Sequence, residues 1–337
     1  MKSRVRTALV DAVPNRSVDR LTDTGPSWNG GNGTLGVVFT DGSRAFCKVA
    51  TDGYGSRIAR ELAVLRYVDS ERALAVPEVL AADPDATVPY LVTGPAPGQE
   101  LLRAWEHAND TNRQALLRRV GATLATLHAD RFERAGEIAG AASASDGSVE
   151  LVLDSAPWPD VLRSTIDRTR EIGTSERLAD HYDAVLGCVE SNRDRLAGAP
   201  AALLHGDVAK PNLFVADAGG RSAESGPGIG PDGVVPIDWE LAHVGDPARD
   251  LVRAEDQLLN GFDTTGPDRF AAALYGGYRE RAGGLPVGFA ERAPIYRVVR
   301  MLGRSGFIDQ WGTYLDEPID DLVARADAEL QARLSSV

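Results

Sequence analysis

Apolar positions along the 337-residue chain change their period near residue 100. Before that point short apolar runs alternate with turn residues. Leu35 to Thr40 and Arg44 to Val49 flank Asp41-Gly42, which predicts a β-hairpin with Lys48 on its second strand. Ile58, Leu62, Leu65 and Val68 recur at helical spacing and predict an amphipathic helix with Glu61 inside its apolar arc. Val76 to Leu80 and Pro89 to Thr93 read as two more strands, and Gly94 to Gly98 as a break. Helical spacing then dominates. Leu117, Val120, Leu124 and Leu127 mark a buried helix, and further helices are expected over 159–171, 176–196, 247–260, 267–282 and 318–334. One strand-like island interrupts them, where Leu203-Leu204 leads into His205-Gly206-Asp207 and two short apolar runs follow at 212–215 and 234–238. The small, polar stretch 139–148 predicts a mobile loop, and the Gly-, Ser- and Pro-rich 216–233 a flexible insertion at a hairpin tip.

A chain of 35.9 kDa exceeds what one compact core usually holds. The expected organisation is α+β, with a strand-rich N-terminal lobe over 1–93, a linker at 94–98 and a helical lobe over 99–337. Thirty-six basic residues against 49 acidic ones give a net charge of -13, which repels nucleic-acid backbones and makes them poor partners. Two cysteines form no disulfide framework and no apolar run is long enough to span a membrane, so a cytoplasmic protein with no membrane partner is expected. Of the basic residues only Lys2, Lys48 and Lys210 are lysines. Where the chain so consistently uses Arg, a compact ammonium marks a position that calls for one.

His205, Asp207, Asn212 and Asp238 fall at the ends of apolar segments, where strand ends hold polar groups rigidly. Two carboxylates and an amide are oxygen donors suited to a hard ion such as Mg2+, whereas Cys and paired His would indicate zinc. Because Mg2+ commonly takes its remaining ligands from water and substrate phosphates, so sparse a set suits nucleotide-dependent transfer.

His205-Gly206-Asp207-Val208-Ala209-Lys210-Pro211-Asn212, then Ile237-Asp238-Trp239-Glu240, then Gly245-Asp246-Pro247-Ala248-Arg249-Asp250-Leu251, resembles the aminoglycoside phosphotransferase and choline kinase family, relatives of protein kinases. The resemblance covers roughly residues 25 to 330. It implies a bilobal kinase-like α+β fold, with a small antiparallel sheet in the N-terminal lobe and ATP held between the lobes, GTP being left open. It implies a Mg2+-dependent phosphotransferase whose acceptor is a small-molecule hydroxyl: an aminoglycoside, an amino sugar, a choline-like alcohol, homoserine or a thiosugar, with a cationic acceptor one of the options. Asp207 would accept or orient the hydroxyl proton, and Asn212 and Asp238 would hold metal. Lys48, paired with Glu61, would bind ATP phosphates. Gly31 and Gly33 would cover those phosphates together with Gly30, and the backbone around Leu91 and Thr93 would read the adenine edge.

Other readings of these residues stay open at this stage. Lys210 would stabilise the transferring phosphoryl group or point into solvent. His205 reads as a structural residue of the catalytic loop, His128 as a packed core histidine, Asp246-Pro247 as a helix cap and Asp250 as a brace for that loop. Glu61 would alternatively pair with Arg57 one turn earlier. The glycines spell no regular Gly-x-Gly-x-x-Gly and would equally form a flexible turn, and Pro236 belongs on an edge or hairpin strand. Trp158, Trp239-Glu240, Glu255-Asp256 and 307–316 are expected to line the acceptor site. Two rival functions are a non-catalytic nucleotide-binding module and an atypical protein kinase. The first would have lost Lys48, Asp207, Asn212 or Asp238, all of which are present, and the second lacks its Asp-Phe-Gly and Ala-Pro-Glu landmarks.

Overall fold

The computed structural model describes residues 1–24, 31–71, 74–145, 147–216 and 233–337. They fall into two compact units: unit 1 is Met1–Glu106, Ile138–Asp154 and Pro211–Ala242, and unit 2 is His107–Glu137, Ser155–Lys210 and His243–Val337. Gly30, and all of the expected insertion except Ala216 and Gly233, lie outside the described residues. No helix among the described residues is long and apolar enough to cross a membrane.

Unit 1 opens with α1 (Lys2–Ala12), β1 (Val18–Asp23), β2 (Asn32–Phe39), β3 (Arg44–Ala50), α2 (Ser56–Glu71), β4 (Val79–Asp83), β5 (Tyr90–Thr93), β6 (Gln99–Glu100) and α3 (Leu101–Glu106). The first five strands make one antiparallel sheet in the order β1-β2-β3-β5-β4. The Asp41-Gly42 turn joins β2 to β3, with Gly42 at φ 84°. Alternation along β3 assigns its faces. Ala45, Cys47 and Val49 are buried in a core with Val5, Ala8 and Leu9 of α1, so Lys48 projects from the other face of the pleat. The sequence pattern does not reveal α1, whose three buried positions are spread over eleven residues rich in polar side chains.

Unit 2 begins with α4 (Asp110–Leu127) and β7 (Arg131–Phe132). The strands β8 (Gly136–Ser143) and β9 (Val149–Ser155) fall mostly in unit 1, and unit 2 continues with α5 (Trp158–Ile172), α6 (Asp180–Ser191), α7 (Arg193–Ala197) and β10 (Ala201–Leu204). A 3-10 turn at Lys210–Asn212 leads to β11 (Leu213–Val215) and β12 (Val234–Pro236) of unit 1. Unit 2 resumes with β13 (His243–Gly245), α8 (Pro247–Leu259), α9 (Asp268–Ala282), α10 (Phe289–Arg300), α11 (Leu302–Ser305), α12 (Ile308–Leu315) and α13 (Ile319–Leu334).

Two expectations need correction, and one helix was not expected. The mobile loop at 139–148 is a hairpin of β8 and β9, because small residues that carry no apolar alternation still pair through their backbones. The expected helix 176–196 starts at Asp180 and is interrupted at Asn192, whose side chain donates to the Cys188 carbonyl. Helix α10, with Pro294 inside it, was not anticipated. Residues 99–106 group with unit 1, where β6 pairs with β11, Gln99 opposite Val215 and Glu100 opposite Phe214. Pro236 does sit on an edge strand, β12 of the sheet β12-β11-β6.

Buried polar groups organise unit 2. Asp246 caps α8, accepting from Ala248 N at 3.0 Å, and also receives Arg292 Nε and Tyr296 Oη, each at 2.6 Å. Trp158 Nε1 donates to that same Tyr296 hydroxyl. Helices α4 and α9 meet backbone to backbone: a Cβ at Gly277 would collide with the Arg118 carbonyl, and one at Gly121 with the Leu274 carbonyl. Gly277→Val is therefore expected to destabilise the protein by at least about 1–3 kcal/mol, read as a lowered denaturation midpoint. Asp256 lies between Arg300 and Arg304, at 2.8 and 3.0 Å. Burial opposes its ionisation, but the charges of Arg300, Arg304 and Arg333 prevail and bring its carboxyl down to about 2. Its stabilisation, about 2 kcal/mol, is complete above the ordinary carboxylate range and lost as pH falls toward 2. Asp256→Asn should accordingly flatten the acid limb of a stability-against-pH curve.

Candidate active site

In unit 1 the projecting Lys48 side chain meets carboxylates from α2 and from the segment after β12. Its Nζ lies 2.5 Å from Glu61 Oε2, 2.6 Å from Asp238 Oδ1 and 3.6 Å from Glu240 Oε2. Asp238 has φ 66°, a left-handed conformation that Asp tolerates better than most side chains. Trp239, fully buried, anchors the next position, and its N–H donates to Glu61 Oε1 at 3.4 Å. Glu240 receives Asn32 Nδ2 at 2.6 Å and pairs with Arg57 Nη1 at 3.5 Å, while its carbonyl accepts from Arg60 Nη1. Asn212 joins the same hairpin end, its carbonyl accepting from Ile237 N at 2.9 Å, one step beyond the Leu213–Pro236 pair.

The charges do not balance locally. Burial works against the Lys48 ammonium, but Asp238, Glu61 and Glu240 overcome it and hold the amine protonated far above its usual range. Burial drives Glu61 the other way, up to about 7, with Lys48 opposing and Asp238 adding to the rise. Glu61, Asp238 and Glu240 each offer an oxygen, all within 4.8 Å of one another. A site of hard oxygen donors with surplus negative charge fits a hard divalent cation such as Mg2+.

In unit 2 the loop after β10 is held by α8. Asp250, 1% exposed, accepts His205 N at 2.9 Å and Gly206 N at 3.0 Å, and His128 Nε2 lies 3.4 Å away. Burial opposes its charge, yet the His128 hydrogen bond and the neighbouring histidines hold the carboxyl far below its usual range. His205 Nδ1 accepts from Asp207 N at 3.2 Å. Asp207 Oδ1 receives Arg253 Nη2 at 2.8 Å and Gln257 Nε2 at 2.7 Å. Burial again resists ionisation, and the Arg253 charge with these bonds outweighs it, so the carboxyl titrates below the ordinary value. Lys210 is pushed the opposite way, its ammonium disfavoured by burial and then by Arg113.

The structure thus gathers Lys48, Glu61, Asp238 and the Asn212 backbone in unit 1, and carries Asp207 and Lys210 on unit 2. Other expected positions are engaged differently. Gly31 packs under the Arg57 guanidinium and Gly33, inside β2, under the Met1 side chain, so both glycines make room for the protein's own side chains. Leu91 and Thr93 lie within β5, flanked by β3 and β4, a strand already paired on both sides. Of the expected acceptor residues, Trp158 stacks on His243, Glu255 binds Tyr275 and Arg297, Asp256 binds arginines, Asp309 binds Arg177, and Trp239 and Glu240 belong to unit 1. The sequence reading did not identify Glu240 as part of the Lys48 cluster, nor Arg253 and Gln257 as partners of Asp207. The spacing of the last two held a signal: with Asp250 they occupy i, i+3 and i+7 of one helix stripe.

Lys48→Met would leave three carboxylates facing one another, with Arg57 paired to Glu240 alone among them. The expected outcome is a loss of about 3 kcal/mol in thermal stability, partly recovered by millimolar MgCl2, as a melting curve with and without the salt would show.

The family model described as phosphotransferase enzyme family matches residues 29–293. No curated protein sequence matches the chain. Among solved structures, the macrolide 2'-phosphotransferase MphH from Brachybacterium faecium is 19% identical with a TM-score of 0.54, over 99% of this chain and 98% of that one. An aminoglycoside-3'-phosphotransferase of type VIII is 21% identical with a TM-score of 0.59, over 90% and 98%. The ADP-bound aminoglycoside phosphotransferase APH(2'')-Ib is 14% identical with a TM-score of 0.57, over 99% and 98%. At such identities these likenesses establish the fold, and the match to the family model, which spans most of the chain, establishes membership: the protein belongs to the phosphotransferase enzyme family.

Proposed function

We propose that the protein transfers the γ-phosphoryl group of ATP to a hydroxyl of a small molecule, with Mg2+ as the metal. The observation that carries this reading is the Lys48 cluster, an ammonium fixed between Glu61 and Asp238 beside surplus carboxylate oxygen. Asp238, Glu240 and Asn212 would hold the divalent ion, which when bound neutralises phosphate charge. Lys48 contacts the nucleotide phosphates, and Glu61 keeps its flexible side chain extended toward them. Asp207 orients the acceptor hydroxyl. In the step itself the acceptor oxygen bonds to the γ-phosphorus, the bond from that phosphorus to the bridging oxygen breaks, ADP leaves with the electron pair, and the hydroxyl proton passes to Asp207. Lys210, held as a weakened ammonium, stabilises charge on the moving phosphoryl group.

The acceptor is an aminoglycoside, an amino sugar or a choline-like alcohol. Support for a hydroxyl acceptor comes from neighbours named as acting on macrolides and aminoglycosides. Nucleotide consumption should be measured with ATP and with GTP against a panel of aminoglycosides, hexosamines, choline, homoserine and macrolides. On the substrate found, Asp207→Asn and Asp238→Ala should each lower kcat by at least about 100-fold, and only Asp238→Ala should also weaken Mg-nucleotide binding. Folded variants that keep wild-type turnover would refute the assignment.

A further inference from the structure

The face of α8 that braces the catalytic loop carries more than Asp250. Arg253 and Gln257 stand one and two turns further along the same stripe, and both reach one oxygen of Asp207. They are also bonded to each other, Arg253 Nε donating to Gln257 Oε1 at 3.1 Å. Three hydrogen bonds therefore close a triangle over Asp207 Oδ1, Arg253 and Gln257. Asp250 meanwhile fixes the backbone two residues before Asp207. One helix thus grips the loop's backbone and the carboxylate itself.

We propose that Arg253 and Gln257 are positioning residues for phosphoryl transfer, a clamp that fixes the Asp207 carboxylate as an aligned acceptor for the substrate hydroxyl. The inference rests on the phosphotransfer reading above. Its physical basis is geometric. A free Asp side chain rotates about two bonds, whereas a carboxylate with one oxygen held by two mutually bonded donors does not, so the hydroxyl meets a preset direction. The bonds to Oδ1 also withdraw charge from the carboxylate, so Asp207 serves to align the hydroxyl, as a loose transition state requires, and takes the proton late. The electrostatic setting agrees: Arg253 and His205 both favour the charged form of Asp207, while burial and then Arg300 disfavour the Arg253 cation against the support of Asp207 and Asp250.

The test uses water as acceptor, so that no substrate need be known: Mg-ATP hydrolysis by the full chain, followed against pH, alongside titration of the Asp207 13Cγ resonance, assigned with Asp207→Asn. Arg253→Met should lower kcat at least about tenfold while leaving KM for ATP within about twofold, and should move both the acidic limb of the rate profile and the resonance midpoint to higher pH. Arg253→Lys, which keeps the charge and loses the fork, should return the midpoint toward wild type and leave kcat low. Gln257→Leu, which removes a hydrogen bond but no charge, should lower kcat and move the midpoint to higher pH by less than Arg253→Met does, and it serves if Arg253→Met does not fold. Unchanged kcat and midpoint in the Arg253 and Gln257 variants would overturn the clamp. Wild-type hydrolysis by Asp207→Asn would instead show that the phosphotransfer reading has failed, and with it the catalytic meaning of the clamp, even where the Asp207 midpoint still responds to Arg253.

Discussion

A charge withdrawn from water must be met by opposite charge or by hydrogen bonds, and this constraint decides which side chains of this protein meet. Lys48 shows it most plainly. Its ammonium projects from the face of β3 opposite the α1 core and meets Glu61 from a helix and Asp238 from a hairpin end far along the chain. Nothing local selects that arrangement. Burial of one cation recruits two anions from distant segments, and Glu240 joins them through Asn32 and Arg57.

Helix α8 applies the same rule in unit 2. Its cap residue Asp246 is buried with Arg292 and Tyr296, its brace Asp250 with two backbone amides and His128, and Asp256 with arginines. These carboxylates lie on a helix that also buries Leu251, Val252, Ala254 and Leu258. The helix is thereby anchored by packing and by charge at once, so the side chains it sends to the loop at 205–207 stand on a firm backbone: Arg253 and Gln257 are only as well placed as the helix that bears them.

Much of this was legible in the amino-acid order. The Asp41-Gly42 hairpin, the Ile58–Val68 stripe and the Asp246-Pro247 cap are local signals, and local signals survive in a linear reading. What escaped depended on partners remote in sequence. Helix α1 has a sparse apolar stripe that becomes a core only beneath Val37, Cys47 and Val92. The hairpin of β8 and β9 has small residues whose pairing no alternation announces. Glu240 looked like acceptor-site material because its tie to Asn32 spans 208 residues. Gly31 and Gly33 leave room for Arg57 and Met1, neighbours that no local pattern announces.

The left-handed backbone at Asp238 has an evolutionary corollary. Asn or Gly at this position would keep the turn and forfeit the charge, whereas Glu would keep the charge and strain the turn. No single replacement preserves both. Drift here therefore leads first to proteins that retain the architecture and lose the ion pair, so a silenced descendant of this chain should be recognisable by a well-folded Asn or Gly in this one place.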